Sequence, residues 1–168
     1  GPTGYGNSPY QCFSAFAGTP LLIHLPGHRE SLPLDRVDYP AAISGKQARL
    51  REATAGFTPD SGYQAFVLGQ AWWLEDYALF MALKDAHDGA AWTEWEAGAA
   101  LRDPAALEQW RARLADSIEH FRREQWFFFS QFVALREASK ARGISLMGDL
   151  PIYVAHDSAE AWSNPSLF

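Results

Sequence analysis

The sequence holds one cysteine, Cys12, in 168 residues. An intramolecular disulfide is therefore impossible, which fits a reducing, cytoplasmic setting. Basic charge is scarce: 14 Lys and Arg stand against 20 Asp and Glu, a net charge of −6. Nucleic-acid binders present a basic face, so no nucleic-acid partner is expected. No apolar run approaches the roughly 18 residues that span a bilayer, so no membrane partner is expected. The opening "GPTGYGNSPYQ" lacks the basic and apolar regions of a secretion signal. Metal-binding patterns are missing too. His24 and His28 are four apart, but Pro26 lies between them, and His87, His120 and His156 are isolated. "GYG" at 4–6 lacks the Lys-Ser/Thr of a phosphate loop. Cys12 has no identifiable basic partner and reads as a small buried residue. No metal or other cofactor is expected.

What the chain has in quantity is aromatic residues, with 7 Trp, 6 Tyr and 11 Phe. Most are needed for a core; Tyr and Trp outside it stack well on flat apolar ligand faces, sugar rings included. Residues 1–20 are rich in Gly and Pro and read as turns. "LLIHL" at 21–25, between Pro20 and Pro26, is a short strand candidate. Residues 41–56 read as a helix that Gly56 ends. Residues 61–87 read as helical, broken near Gly69, with Leu74, Tyr77, Leu79, Phe80 and Leu83 as an apolar stripe. "AWTEWEAG" at 91–98 reads as loop. Pro104 opens the longest helix, which Gly143 closes. "ISLMGDL" at 144–150 follows as a strand, and 157–162 as a short helix capped by Asp157 or Ser158.

A long helix feeding an apolar strand is half of a βαβ unit, so an α/β fold with parallel strands is expected. In a parallel barrel the functional residues sit where strands end. Asp149 occupies such a place; the alternative is a loop-start aspartate that satisfies nearby backbone N–H groups. Retaining glycoside chemistry needs a second carboxylate about 5 Å away. Glu75 and Asp76 are adjacent on one helix and point apart. Asp157 and Glu160 look like helix-capping acids. None is a convincing partner for Asp149.

Three stretches closely resemble one family. They are "GPTGYGNSPYQCFSAFAGTPLLIHL", "WWLEDYALFMALKDAHDGAAWTEW" and "GISLMGDLPIYVAHDSAEAWSNPSLF". The chain is similar along its whole length to the amylomaltases, 4-α-glucanotransferases that disproportionate α-1,4-glucans. The resemblance implies a (β/α)8 barrel decorated by helical insertions. It also implies transfer of a glucan segment to a sugar 4-OH by retaining double displacement. The family's nucleophile lies in "RIDHFRG", its acid/base in "AEDLG" and a third aspartate in "THDND". None of these motifs occurs here, so no catalytic residue is assigned. A full barrel takes about 250 residues, so an incomplete barrel is expected. In it 1–30 hold the substrate loop and a strand, 31–103 a helical insertion, and 104–168 the long helix, a barrel strand and its loop. The rest of the barrel would be needed for activity, and this chain alone would be inactive.

What carries over is substrate binding. By resemblance Tyr10 stacks near the cleavage subsite, Ser8 and Gln11 offer hydrogen bonds, and Tyr5 belongs to a more distant glucan groove. Asp149 becomes a strand-end residue that positions the sugar. Trp72, Trp73, Trp92, Trp95 and Trp162 read as structural. Asn7, Cys12 and Thr19 depart from the family's common Asp, Ser and Asn, which puts the loop's hydrogen bonding in question. A stand-alone α-glucan-binding module without catalysis is the alternative. A hydrolase built on Asp149 and an unplaced glutamate is a third reading.

Overall fold

The computed structural model describes residues 1–4, 8, 10–26, 35–36, 38–148 and 153–168. The order is α1 (Tyr39–Ala55), α2 (Ser61–Ala86), α3 (Ala97–Ala100), α4 (Pro104–Arg113), α5 (Ala115–Lys140) and α6 (Ala159–Ser163). Short 3-10 turns lie at Pro20–Leu22 and Trp92–Glu94.

The centre of the molecule is α2 packed along α5, with α1 and α6 on their flanks. α2 starts where the Asp60 carboxylate accepts a hydrogen bond from Tyr63 N, 2.8 Å away. It stops at Asp88 and Gly89, whose φ values of 53° and 80° are left-handed. Its buried face includes Tyr63, Trp73, Leu74, Tyr77, Phe80 and Leu83. The expected break at Gly69 does not occur. Gly69 lies on the open side of the helix, with nothing within 4 Å of where a Cβ would be. Packing of the opposite face carries the helix through a residue of poor propensity.

The helix expected from Pro104 onward is two helices that meet at Leu114. The helical bonds Leu114 N to Trp110 O and Ile118 N to Leu114 O persist across the junction, at 2.9 and 2.8 Å. The chain turns at Leu114, where ψ is 18°. The turn lets Leu107 on α4 and Ile118 and Phe121 on α5 reach one core. The 91–98 loop likewise contains the Trp92–Glu94 turn and the start of α3.

Both strand expectations fail among the described residues, whose only extended pairing is a Thr3–Cys12 bridge. Pro20 opens a 3-10 turn, and Ile23 then runs extended into the core at 1% exposure. Two glutamines of α5 supply the backbone partners that a strand neighbour would have given. The Gln125 amide accepts from Gly18 N at 2.7 Å and donates to Gly18 O at 3.1 Å. The Gln131 amide repeats this on His24 N and O, at 2.8 and 2.9 Å. Residues 144–148 are irregular and exposed, Met147 almost completely; 149 and 150 lie outside the described residues. An isolated strand has no partner for its backbone and does not hold.

Of the five tryptophans expected to be structural, all but one are buried or half-buried. Phe80, Trp95 and Trp162 form a triangle with ring centroids 5.5–5.9 Å apart, and the Trp162 indole donates to Ala99 O at 3.0 Å. Trp73 is buried as well, and Trp92 is half-buried. Trp72 is the exception, 66% exposed with the Phe16 ring edge against it.

Candidate functional site

The first residues fold into a narrow antiparallel loop. Gly4 N donates to Gln11 O at 2.8 Å and Phe13 N to Pro2 O at 2.9 Å. Gly4 is needed for this approach, because a Cβ there would lie 2.6 Å from Gln11 O. At the tip, Gln11 N donates to Ser8 O at 3.2 Å and Tyr10 N to Ser8 Oγ at 3.3 Å.

The base of the loop is clamped by α6. Ser14, fully buried, donates to Glu160 Oε1 at 2.6 Å. Its hydroxyl accepts from Phe16 N and Ala17 N, at 3.1 and 3.2 Å. Glu160 Oε2 accepts from Ala15 N at 3.2 Å, and Phe13 O accepts from Ala159 N at 2.9 Å. Burial pushes the Glu160 carboxyl above its ordinary pKa, while the bonds from Ser14 and Ala15 pull the other way.

Beside this loop runs the segment 153–157, fixed by a buried ion pair. Lys84 Nζ lies 2.5 Å from Asp157 Oδ2, with both side chains nearly inaccessible. The ammonium also donates to Ala90 O at 3.1 Å and sits 4.9 Å above the Phe13 ring. Asp157 Oδ1 accepts from Trp92 N at 3.3 Å. The Trp92 indole donates to His156 O at 2.8 Å and stacks on the His156 ring at 5.2 Å. Between loop and segment lies a groove of about 380 Å³, lined by Gln11, Phe13 and residues 153–157.

Of the residues expected to bind substrate, Gln11 lines this groove. Tyr10, 53% exposed, stands at the loop tip, with Ser8 engaged in the same turn; neither lines the groove. Tyr5 and Asp149 lie outside the described residues. The candidate carboxylates find other partners than those expected. Ser158 caps α6 by accepting from Ala161 N at 3.3 Å, so Asp157 is free to meet Lys84. Glu160 holds the loop instead of capping. Glu75 pairs with Arg122, and Asp76 with Arg102 at 2.7 Å. Lys84 and Tyr153 were missed. The one legible signal was a lysine on the apolar stripe of α2, four residues after Phe80, where a charge needs a buried partner. Among the described residues no three His, Cys, Asp or Glu side chains converge as a metal site, and no helix is long and apolar enough to cross a membrane.

A second polar cluster joins α1 to α5. Thr54 Oγ1 and His120 Nδ1 are hydrogen-bonded at 2.6 Å, and His120 Nε2 lies 3.9 Å from Glu124 Oε2. Burial lowers the His120 pKa to about 4, helped by the Arg51 charge and opposed by Asp85. Burial raises that of Glu124 to about 8 against the pull of Arg51. Each group is thus driven toward its neutral form.

Comparison with known proteins adds four findings. A family model described as 4-alpha-glucanotransferase matches residues 1–168. The 4-alpha-glucanotransferase of Thermus thermophilus is 45% identical over 183 residues, covering 100% of this chain and 37% of the relative. That of Synechocystis sp. is 43% identical over 187 residues, with the same 100% and 37% coverage. The structure of amylomaltase from Streptococcus agalactiae in complex with acarbose superposes with a TM-score of 0.87 at 32% identity, over 99% of this chain and 37% of that one. The chain thus spans about 37% of the length of these relatives.

Proposed function

The chain belongs to the 4-alpha-glucanotransferase family, and from that premise we propose that it carries part of the sugar-binding surface of an enzyme that moves α-1,4-glucan segments. The reaction is a retaining double displacement onto the 4-OH of glucose or another glucan. In this reading Tyr5, Ser8, Tyr10, Gln11 and Asp149 contact the glucan. The nucleophile and acid/base come from sequence beyond these 168 residues, as does the rest of a (β/α)8 barrel, and no cofactor takes part. A cytoplasmic setting belongs to the same proposal.

One observation carries it. In a chain that the family model matches over residues 1–168, a clamped loop bearing Gln11 is brought against residues 153–157 to leave an open groove. The neighbour solved with acarbose supports the sugar assignment. The alternative, a self-sufficient binding module, fits less well with the apolar side chains left exposed at Val133, Leu135, Ile144, Leu146 and Met147.

The test is glucose release from maltotriose by the purified 168-residue chain, alongside maltoheptaose binding. The expected result is binding without release. Release by a chain of verified mass would overturn the assignment of the catalytic carboxylates to sequence beyond this one.

A further inference from the structure

The groove's second wall has a specific chemistry. Tyr153 is 56% exposed. His156 is exposed as well, although its ring stacks on Trp92 at an interplanar angle of 29°. None of the described lining residues is Lys or Arg, and Asp157 is already ion-paired with Lys84. An anion would meet no Lys or Arg side chain among the described lining. A neutral ligand with flat C–H faces and many hydroxyls would meet aromatic faces, the Gln11 amide and the imidazole nitrogens.

The wall is also held before any ligand arrives. The Lys84–Asp157 pair, the two Trp92 donations and the Ala159 N to Phe13 O bond tie residues 156–159 to α2, to the Trp92 turn and to the opening loop. A wall fixed in this way loses little entropy on binding. The groove's volume, about 380 Å³, lies in the range of small-molecule sites.

We propose that Tyr153 and His156 form a stacking subsite for one glucosyl unit of an α-glucan, adjoining the contacts made by Gln11. This rests on the α-glucan reading above, and it adds residues that the resemblance to the family did not supply.

The experiment titrates the 168-residue chain with maltoheptaose, read by calorimetry and by the emission of Trp92 behind His156. Tyr153→Ala and His156→Ala are each expected to weaken binding by roughly 5- to 10-fold, the scale of one lost aromatic contact. Tyr153→Phe keeps the ring and is expected to bind within about 2-fold of the parent. Unchanged thermal midpoints in these exposed-site variants separate lost contact from lost fold. If both alanine variants bind as tightly as the parent while Gln11→Ala is weakened, the subsite is wrong and the glucan reading stands. If the parent itself binds no maltoheptaose, both fall.

Discussion

At the scale of single residues, the chain settles its buried polar groups by long-range pairing. Lys84 and Asp157 are 73 residues apart in sequence and 2.5 Å apart in the fold. Lys84→Met leaves a buried carboxylate without its partner, and is expected to cost about 3–5 kcal/mol in urea unfolding. Lys84→Met with Asp157→Leu should recover most of that loss, because two apolar side chains carry no desolvation penalty. A double variant no more stable than Lys84→Met would show that the pair does more than satisfy its own charges. The His120–Glu124 cluster gives a pH signature. In the fold it keeps one proton between about pH 4 and 8; with ordinary values of 4.5 and 6.5 the unfolded chain keeps one only between those. From pH 4.5 to 6.5 the pair therefore leaves stability flat. Above 6.5 the unfolded chain holds fewer protons than the fold, so stability falls up to about pH 8, by on the order of 1 kcal/mol. Glu124→Gln removes that alkaline decline and uncovers a decline below pH 6.5, where His120 alone binds its proton only in the unfolded chain. Thermal midpoints across pH 4–9 in both proteins decide it.

At the scale of elements, helices here outlast weak local signals when one face is buried. Gly69 in α2 is the test case. Its surroundings are open, so Gly69→Ala is expected to stabilise by about 0.5–1 kcal/mol, seen as a raised thermal midpoint. Gly18 is the opposite case: a Cβ there would fall 2.0 Å from the Phe128 ring, and Gly18→Ala should lower the midpoint. Strands behave differently from helices. A helix closes its backbone bonds within itself, whereas a strand takes them from a neighbour. Gly18 and His24 obtain theirs from the side chains of Gln125 and Gln131, while Leu22 N and Ile23 N bond within the 3-10 turn. Gln125→Ala orphans both polar groups of Gly18, at about 1–3 kcal/mol for each buried group left unpaired. Urea denaturation of that variant checks it.

At the scale of the molecule, the apolar surface is uneven. Phe132, Val133 and Leu135 on the last turns of α5, and Ile144, Leu146 and Met147 after them, are all more than one-third exposed. Ile144, Ser145 and Leu146 line one open pocket with Arg136, Glu137 and Lys140 of α5. Exposed apolar surface of this extent favours association. The isolated chain is expected to self-associate at micromolar concentration and to bind a hydrophobic dye. Val133→Lys with Leu135→Glu should shift it toward the monomer in analytical ultracentrifugation. A parent chain that sediments as a monomer at every concentration would contradict this.

The sequence alone determined where most of the helical segments lie, and the family. Stripes such as Leu74 to Leu83 and the Pro104 start act within a few residues, and the quoted stretches from the opening loop to the final turn are long enough to be specific. Gln11 was named from the same stretches, by resemblance. Only the tertiary structure decided which carboxylate meets which base, that Ser158 and not Asp157 caps α6, and that a wall at 153–157 completes a groove with Gln11. It also decided that 21–25 and 144–148 are not strands. Those outcomes depend on partners far away in the chain, and local pattern carries no information about distant partners.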